Sequence, residues 1–565
     1  MSLTVLDFFC GAGGFSEGFR QQGFTIIQGV DHWRPAIDTF NANFNLTCEV
    51  KNVLDFKSLD EILTLPDTDV IIGSPPCVSF SNSNRSGKAD KSMGLQLTET
   101  FLKIVAVKKH QKRSTLKAWF MENVPNCLRY LPKQYSFRQL GLAQWAVKND
   151  KDPSEIAIKI SGNSLILNSA DYGSPQSRKR AVLGEIIHFE KLISPTKTHR
   201  TPSEPASLPV YTTLKQIRMN LPSPNSKSSL ELVQDPIYEI QLPLNDLTDQ
   251  FYDTGLYESQ WKSSRSLKLN HPFMGRMSFP ENESKPSRTI TATNIGTSRE
   301  SMIFESEYKR TGDGQYRVPT VREMACIMGF PITFQFFGSE GTKTRLIGNA
   351  VCPSVSSALA KTVRVSLGLK PIKAKIAKTI NLKGIPNLNT FSERVFNDPP
   401  IKKPGSRFRL HPFKFGNITV TLSNYNISTN SSIRKWRTSV QYGNGKGFPS
   451  ENFPDNYYKT IEPLIEQFES GKKFIEIINN GFSEKIASSE EMQAMHEAQQ
   501  SKGCYLEPVK LVEEVARIIT GFKFDEEEFA QCEDSKVFKH KINVPKKQFL
   551  ALYAINKIVS VANEK

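Results

Sequence analysis

The sequence lacks the cysteine spacing of a zinc site and the cysteine density of a secreted disulfide scaffold. Its eight cysteines are dispersed over 565 residues, so we expect reduced thiols and no metal site. No cationic segment followed by an apolar region opens the chain, and no apolar run is long enough to span a bilayer. These absences argue against secretion and membrane insertion, and they favour a cytoplasmic protein.

Acidic residues are too few to balance the basic ones. The formal net charge is +16 and the pI is about 9.3, which favours a polyanionic partner without establishing one. Residues 371–460 hold 15 Lys and Arg against 4 Asp and Glu, whereas residues 461–565 hold 14 against 18. Most of the net charge is therefore local to the segment 371–460.

Short apolar runs alternate with helical patterns in residues 1–187. The runs occupy residues 3–9, 25–30, 69–72, 117–121 and 180–184. This rhythm predicts an α/β domain with a mostly parallel sheet and helices on both faces. In such folds, ligands bind at the carboxyl ends of the strands.

Three further regions follow this domain. Residues 188–287 are rich in proline and serine and predict a loop-rich subdomain. Residues 288–370 regain helical patterns at 320–328 and 353–367 and should complete the first fold. Residues 371–565 predict an additional α+β domain, whose two core helices carry the apolar stripes Val512, Val515, Ile518, Ile519 and Phe549, Leu550, Tyr553, Ile558.

A glycine-rich segment joins the first predicted strand to the first helix. Phe9, Gly11, Gly13 and Gly14 lie in this turn, which would let a nucleotide-like cofactor approach the backbone and the helix N-terminus. Asp31 follows the second strand and is placed to accept hydrogen bonds from ribose hydroxyls. A nicotinamide cofactor is less favoured, because Ser16 stands where the dinucleotide fingerprint has glycine. A tight turn with a capping aspartate is also open.

Cys77 lies in a proline-stiffened loop after the apolar run at 69–72. At the edge of the cleft its thiolate could attack an electron-poor ring carbon, provided that the surroundings are positive or a proton acceptor is near. Taken alone, an isolated cysteine is more often a small buried hydrophobe.

Glu122 ends the next predicted strand and should face the same cleft as Cys77. Arg178 and Arg180 are two residues apart on an extended segment, so they should share a face. By itself Glu122 could be a capping or salt-bridged glutamate, and an isolated pair of arginines of this kind is more often a solvated strand face.

Together and in this order, these motifs resemble the C5-cytosine-specific DNA methyltransferase family, of the bacterial or phage modification type, over residues 3–368. Later motifs agree: Arg288-Thr-Ile-Thr-Ala-Thr, residues 321–331, and Gly348-Asn-Ala-Val351 followed by Pro353. The resemblance implies a Rossmann-like sheet that uses S-adenosylmethionine. It also implies that Cys77 attacks carbon 6 of a flipped-out cytosine, that Glu122 binds N3 and the amine, and that Arg178 and Arg180 hold O2.

The resemblance also implies a set of residues around the cofactor. They are Phe9, Gly11, Gly13, Gly14, Asp31, His32, Asn52, Val53, Pro76, Asn349 and Val351. Asn52 stands where the family usually has an aspartate that reads the adenine amine, and an amide carbonyl can still accept that hydrogen bond. His32 replaces a frequent aromatic residue and could still stack on adenine.

The implied substrate is double-stranded DNA, read by residues 188–287. A restriction-modification or related defence system, with a possible cognate endonuclease, follows from the likeness to microbial and phage enzymes, as does a cytoplasmic, nucleoid-associated location. The oligomeric state is not predicted. Two alternatives are a transfer RNA cytosine-5 methyltransferase and a non-catalytic DNA-binding subunit. Residues 181–287 lack the cysteine of the transfer RNA branch, and retention of Cys77 and Glu122 disfavours the second.

The extension beyond residue 370 resembles no family that its motifs identify. In extended form Arg407, Arg409 and His411 would line one face, with Phe408 and Leu410 on the other. This pattern fits either a phosphate-binding strand or the solvated face of a small sheet. Our hypothesis is that the extension adds DNA affinity or a protein contact.

Overall fold

The computed structural model describes residues 2–76, 91–225, 231–270, 275–292, 296–378, 394–396, 410–415, 418–424, 435–442, 450–467, 469–498, 500–522, 529–531 and 543–565. The chain divides into two compact units, residues 1–84 with 89–399 and residues 400–565 with 85–88. Within the described residues, no helix has the length and apolar character that a membrane crossing requires.

The first unit contains twelve described strands and ten described α-helices. The strands are β1 Thr4–Phe8, β2 Thr25–Val30, β3 Val70–Gly73, β4 Ala118–Asn123, β5 Gln134–Ser136, β6 Ile156–Lys159, β7 Ser164–Asn168, β8 Lys179–Ile186, β9 Leu232–Gln234, β10 Gln241–Pro243, β11 Phe304–Glu305 and β12 Tyr316–Arg317. The helices are α1 Gly14–Gln21, α2 Arg34–Phe44, α3 Leu59–Leu63, α4 Lys91–His110, α5 Ala143–Lys148, α6 Leu214–Asn220, α7 Glu258–Leu269, α8 Val321–Met328, α9 Glu340–Asn349 and α10 Pro353–Ser366.

The central sheet has the strand order β2-β1-β3-β4-β8-β7. The pairs β1–β2, β1–β3 and β3–β4 are parallel, and β8 is antiparallel to β4 and β7. The predicted α/β fold with a mostly parallel sheet is confirmed. Because β8 runs in reverse, its first residues lie beside the carboxyl end of β4, where Asn123 pairs with Ala181.

Helix α10 packs directly on α1, although the two are far apart in sequence. A Cβ on Gly18 would lie 2.3 Å from the backbone nitrogen of Ser357, so the close approach requires glycine. The Ser356 hydroxyl donates to the carbonyl of Phe15. The last helix of the unit therefore completes the layer on one face of the sheet.

A buried ion-pair network connects α6, β12 and α8. The Arg317 side chain is fully buried and donates to both oxygens of Glu323 at 2.7 Å and to Glu307 at 2.5 and 2.7 Å. Arg218 pairs with Glu283 and Glu307. Burial opposes ionisation of Glu307, but hydrogen bonds from the two arginines outweigh it and lower the pKa of Glu307 to about 2.

The second unit combines an antiparallel sheet with a helical layer. Its strands are β13 Leu410–Phe415, β14 Ile418–Asn424, β15 Trp436–Tyr442, β16 Ser450–Phe453, β17 Phe529–Gln531 and β18 Asn543–Pro545. Its helices are α11 Tyr458–Glu466, α12 Gly471–Ile477, α13 Ser489–Ala498, α14 Pro508–Gly521 and α15 Lys546–Glu564. The strands β13 to β16 pair in chain order. The two predicted apolar stripes lie on α14 and α15, and both contribute to the core.

The prediction for His411 is wrong. Its strand register pairs His411 with Leu422, which turns the imidazole into the helix-covered core. There the ring lies 6.0 Å from Trp436 and 5.3 Å from His496, measured between centroids. Arg407 and Arg409 lie outside the described residues. A phosphate-binding face that includes His411 is therefore not formed.

Candidate active site

The turn between β1 and α1 is built on residues in the left-handed region. Phe9, Gly11 and Gly13 have φ values of 54°, 52° and 93°, and this conformation is costly for Phe9. A Cβ on Gly13 would lie 2.4 Å from the Phe44 ring. A Cβ on Gly14 would lie 2.2 Å from the carbonyl oxygen of Val351. Both glycines allow close packing of the turn.

Gly11 differs from its neighbours because its Cα faces open space. A Cβ there would meet nothing closer than the Phe9 carbonyl at 4.0 Å. The Gly11 N–H donates to Asp31 at 3.0 Å, and the Trp33 N–H donates to the other carboxyl oxygen at 2.9 Å. Burial raises the pKa of Asp31, and these hydrogen bonds oppose the rise. The open side of Gly11 and the acceptor Asp31 together fit a ribose-bearing cofactor.

The other predicted cofactor residues differ in exposure. The His32 side chain is 68% exposed, so its ring is accessible for stacking. The Asn52 side-chain oxygen accepts from the Leu54 N–H at 3.0 Å and caps the short 3-10 turn Val53–Lys57. Val53, the first residue of that turn, is buried. Asn52 therefore has a structural contact besides any that it makes with adenine.

The late motif approaches the same turn from α9 and the start of α10. Asn349 is exposed, whereas Val351 is buried and its carbonyl lies against Gly14. Pro76 is exposed at the end of the described segment that follows β3. Of these residues, Val351 contacts the turn at residues 9–14.

Cys77 lies outside the described residues, as does Val78 after it. Two of the three residues before Cys77, Ser74 and Pro75, are held by hydrogen bonds. The Ser74 N–H and hydroxyl donate to the carbonyls of Phe8 and Phe9, each at 3.1 Å. The Asn123 side-chain amide donates to the Pro75 carbonyl at 3.1 Å. The backbone leading to Cys77 is thus tied to the end of β4 and to the turn at residues 9–14, the candidate cofactor turn.

Asn123 is a residue that the sequence analysis missed. It is buried, and it directly follows Glu122. An asparagine at the end of a buried strand is a signal, because a buried amide must find hydrogen-bond partners. Its contact with Pro75 connects the strand that carries Glu122 to the loop that carries Cys77.

Glu122 and Arg180 form an ion pair at the carboxyl edge of the sheet. The Arg180 Nε lies 3.1 Å from a Glu122 carboxyl oxygen, and the side chains are 16% and 10% exposed. Glu122 pairs with Val182 across the strands, so Arg180, two residues earlier, lies on the same face. Burial raises the pKa of Glu122, and the two arginines lower it by a smaller amount. The Glu122 carboxyl is therefore easier to protonate than an exposed glutamate.

Arg178 has different partners from Arg180. Its guanidinium donates to the carbonyls of Ile290 and Gly348 at 3.1 Å and of Ala350 at 3.3 Å. Arg178 is 4% exposed. Arg180 thus pairs with Glu122, whereas Arg178 is directed at backbone carbonyls.

The chain is similar to known proteins of one family. Residues 3–364 match the model of the C-5 cytosine-specific DNA methylase family. The Type II methyltransferase M.HgiDI of Herpetosiphon aurantiacus is 27% identical over 374 residues, which cover 65% of this chain and 95% of that protein. M.MthTI of Methanothermobacter thermautotrophicus is 27% identical over 373 residues, 65% of this chain and 98% of its own.

A shorter relative has higher identity. M.HgiGI, a Type II methyltransferase of Herpetosiphon aurantiacus, is 41% identical over 127 residues, 22% of this chain and 90% of that protein. Residues 400–565 of the second unit lie beyond the family match, which ends at residue 364. The chain belongs to the C-5 cytosine-specific DNA methylase family, and DNA cytosine-5 methyltransferase is its enzyme class.

Proposed function

We propose that the protein transfers a methyl group from S-adenosylmethionine to carbon 5 of a cytosine flipped out of a specific duplex sequence. The observation that carries this proposal is the buried Glu122–Arg180 pair. It lies at the sheet edge that also holds the cofactor turn and the anchored segment leading to Cys77. A protonated carboxyl beside a guanidinium suits a cytosine, which presents N3, an exocyclic amine and O2.

S-adenosylmethionine supplies an electrophilic methyl group when it is bound. Asp31 would accept hydrogen bonds from its ribose, and the open side of Gly11 would admit the ligand to the turn. The exposed His32 ring would stack on adenine, with Asn52 and Val53 beside it. Phe9, Gly13, Gly14, Pro76, Asn349 and Val351 would enclose the remainder.

Cys77 would act as the nucleophile. Its thiolate forms a bond to carbon 6 of cytosine, and the electron pair of the 5,6 double bond moves towards carbon 5, which takes the methyl group. Glu122 donates to N3 as negative charge enters the ring, and Arg180 stabilises O2. A base or a water molecule then takes the proton from carbon 5, and the electron pair of that C–H bond restores the double bond as the carbon–sulfur bond breaks and the Cys77 thiolate leaves.

Residues 188–287 would read base edges in the major groove while basic residues contact phosphates. The Type II names of the relatives support a role in a restriction-modification system with a cognate endonuclease. Such a protein would act on DNA in the cytoplasm of a prokaryotic cell, at the nucleoid.

Labelled S-adenosylmethionine tests the proposal with duplex DNA and with transfer RNA as substrates. We expect label in duplex DNA with the wild type, none with Cys77→Ala, and full transfer with Cys504→Ala, which removes an exposed cysteine of the second unit. Bisulfite sequencing of DNA from expressing cells would then give the target site. Transfer to RNA alone, or to no cytosine-containing duplex, would contradict the proposal.

A further inference from the structure

Arg178 occupies an unusual position for an arginine of a substrate site. Its three carbonyl partners lie 112, 170 and 172 residues away in sequence. They belong to two separate segments, the chain that returns after residue 287 and the C-terminal end of α9. A buried guanidinium needs such partners, because an ion without hydrogen bonds is costly to bury.

The carbonyls of Gly348 and Ala350 lie on either side of Asn349, at the C-terminal end of α9. The next residue, Val351, contacts the cofactor turn. Val351 is the residue whose carbonyl would lie 2.2 Å from a Cβ on Gly14. Gly348 is packed about as closely, because a Cβ added there would lie 2.4 Å from the Thr291 carbonyl oxygen. A change in the position of residues 348–351 would therefore alter the wall of the cofactor turn.

Gln176, two residues before Arg178, holds the first of these two segments, the chain that returns after residue 287. Its side-chain oxygen accepts from the Ile290 N–H at 2.9 Å, while Arg178 donates to the Ile290 carbonyl. Both polar groups of Ile290 are thus bound by residues of the segment that precedes β8. The Gln176 and Arg178 side chains hold the returning chain and the end of α9 in one arrangement.

We propose that Arg178 is a positioning residue for the cofactor, which holds residues 348–351 against the turn at Gly14, whereas Arg180 acts on Glu122 and the cytosine. The inference rests on the proposed function and divides the roles of the two arginines. If residues 348–351 leave this position part of the time, the apparent cofactor Kd is the intrinsic Kd divided by the fraction of time that they are in place.

Binding of S-adenosylmethionine to the full chain without DNA tests this division. We expect Arg178→Lys, which keeps the charge but not the fork of donors, to raise the cofactor Kd about tenfold. Its kcat at saturating cofactor should fall less than about threefold. Arg180→Lys should leave the cofactor Kd within about twofold and lower kcat about 100-fold. Hydrogen exchange of the amides at 348–351 should quicken in Arg178→Lys alone.

Arg322 supplies a matched control. It is also fully buried and donates to two backbone carbonyls, of Thr248 at 3.1 Å and Phe334 at 2.9 Å. Arg322→Lys should lower the thermal midpoint as much as Arg178→Lys does, without changing the cofactor Kd. Gln176→Asn offers a milder second variant on the same segment, with an expected rise in Kd of about threefold.

The inference is overturned if Arg178→Lys and Gln176→Asn bind the cofactor as the wild type does, or if Arg178→Lys loses kcat as Arg180→Lys does. An equal loss of cofactor affinity in Arg322→Lys would also overturn it, because general destabilisation would then suffice. If the wild type binds the cofactor but methylates no DNA, the proposed function fails while the binding comparison still decides the role of Arg178.

Discussion

The two units use their sheets in different ways. In the first, parallel strands bring their carboxyl ends to one edge, where Glu122, Arg180 and the turn at Gly11 converge. In the second, β13 to β16 form an antiparallel meander, so successive strand ends alternate between opposite edges. A parallel sheet thus collects polar groups in one cleft, whereas the meander distributes them.

A buried polar side chain of helix α15 stabilises the fold of the second unit. Asn556 of α15 accepts from the Tyr458 N–H at 2.8 Å and donates to the Pro454 carbonyl at 2.9 Å and to Thr438 at 3.3 Å. It connects two helices and the sheet in a buried position. This use of a buried amide contrasts with Glu122, which faces the cleft of the first unit.

The contrast predicts the largest effect at Glu122. Glu122→Gln keeps the shape but cannot supply an acidic proton, and we expect methyl transfer to fall by about 100-fold or more. Glu185→Gln is the matched control, because Glu185 is a buried carboxylate on β8, paired with Lys109 at 2.5 Å and Trp119 at 3.1 Å. Steady-state kinetics should show near-normal kcat for Glu185→Gln. Equal kcat values for Glu122→Gln and Glu185→Gln would contradict a catalytic role that is special to Glu122.

Acid should destabilise the first unit more than the second. The lowered pKa of Glu307, about 2, means that its contribution is fully present above the unfolded value near 4.5 and is lost as pH falls towards 2. The contribution is on the order of 2–3 kcal/mol. The second unit has a comparable carboxyl in Glu514, whose pKa is lowered to about 2 by hydrogen bonds from Arg517 and Lys485. The side chains of these partners are 73% and 40% exposed, so their ion pairs are screened by solvent and contribute less than the buried pairs of Glu307.

Hydrogen exchange between pH 5 and pH 2.5, corrected for intrinsic rates, measures this difference between the units. Glu307→Gln should remove part of the acid sensitivity of the first unit and leave the second unchanged. An acid transition that begins in the second unit would contradict the comparison.

Loss of the Asn556 amide should affect stability and not catalysis. Asn556→Ala leaves the Tyr458 N–H and the Pro454 carbonyl without their partner, which costs about 1–3 kcal/mol in the unfolding of the second unit. Denaturant titration measures the cost. Methyl transfer to a short duplex at saturating concentration should stay within about twofold of wild type, and a large loss of kcat would show that the second unit supports the active site.

The smallest effect concerns the basic residues of the second unit. Lys414 and Lys435 are exposed, and replacing both with Gln should weaken DNA binding a few-fold and reduce the slope of log K against log salt by up to about 2. Lys510→Gln on α14 is the control, because Lys510 is paired with Glu513. An unchanged salt slope would disfavour a DNA contact by these lysines and leave a protein contact as the role of the extension.

Local sequence patterns were sufficient to predict the strands of the central sheet and the position of Arg180. The apolar run at 25–30 coincides with β2, and the other predicted strands differ from the structure by one or two residues at an end. The position of Arg180 follows from the same reasoning. Arg180 is two residues before Val182, which pairs with Glu122 on the neighbouring strand, so Arg180 and Glu122 lie on one face of the sheet. The edge strand β7 was not predicted, since its apolar run is only three residues long.

The sequence by itself determined which chemical groups stand at the strand ends: the cofactor glycines, Asp31, Glu122 and the two arginines. Strand periodicity and turn residues act over a few positions, so they can be read locally. Only the tertiary structure decided that Arg178 binds carbonyls at 290, 348 and 350, that Gly14 lies against Val351, and that His411 is buried. These outcomes depend on backbone from distant parts of the chain, because a buried charge or a close packing contact is satisfied by whatever the fold brings to it.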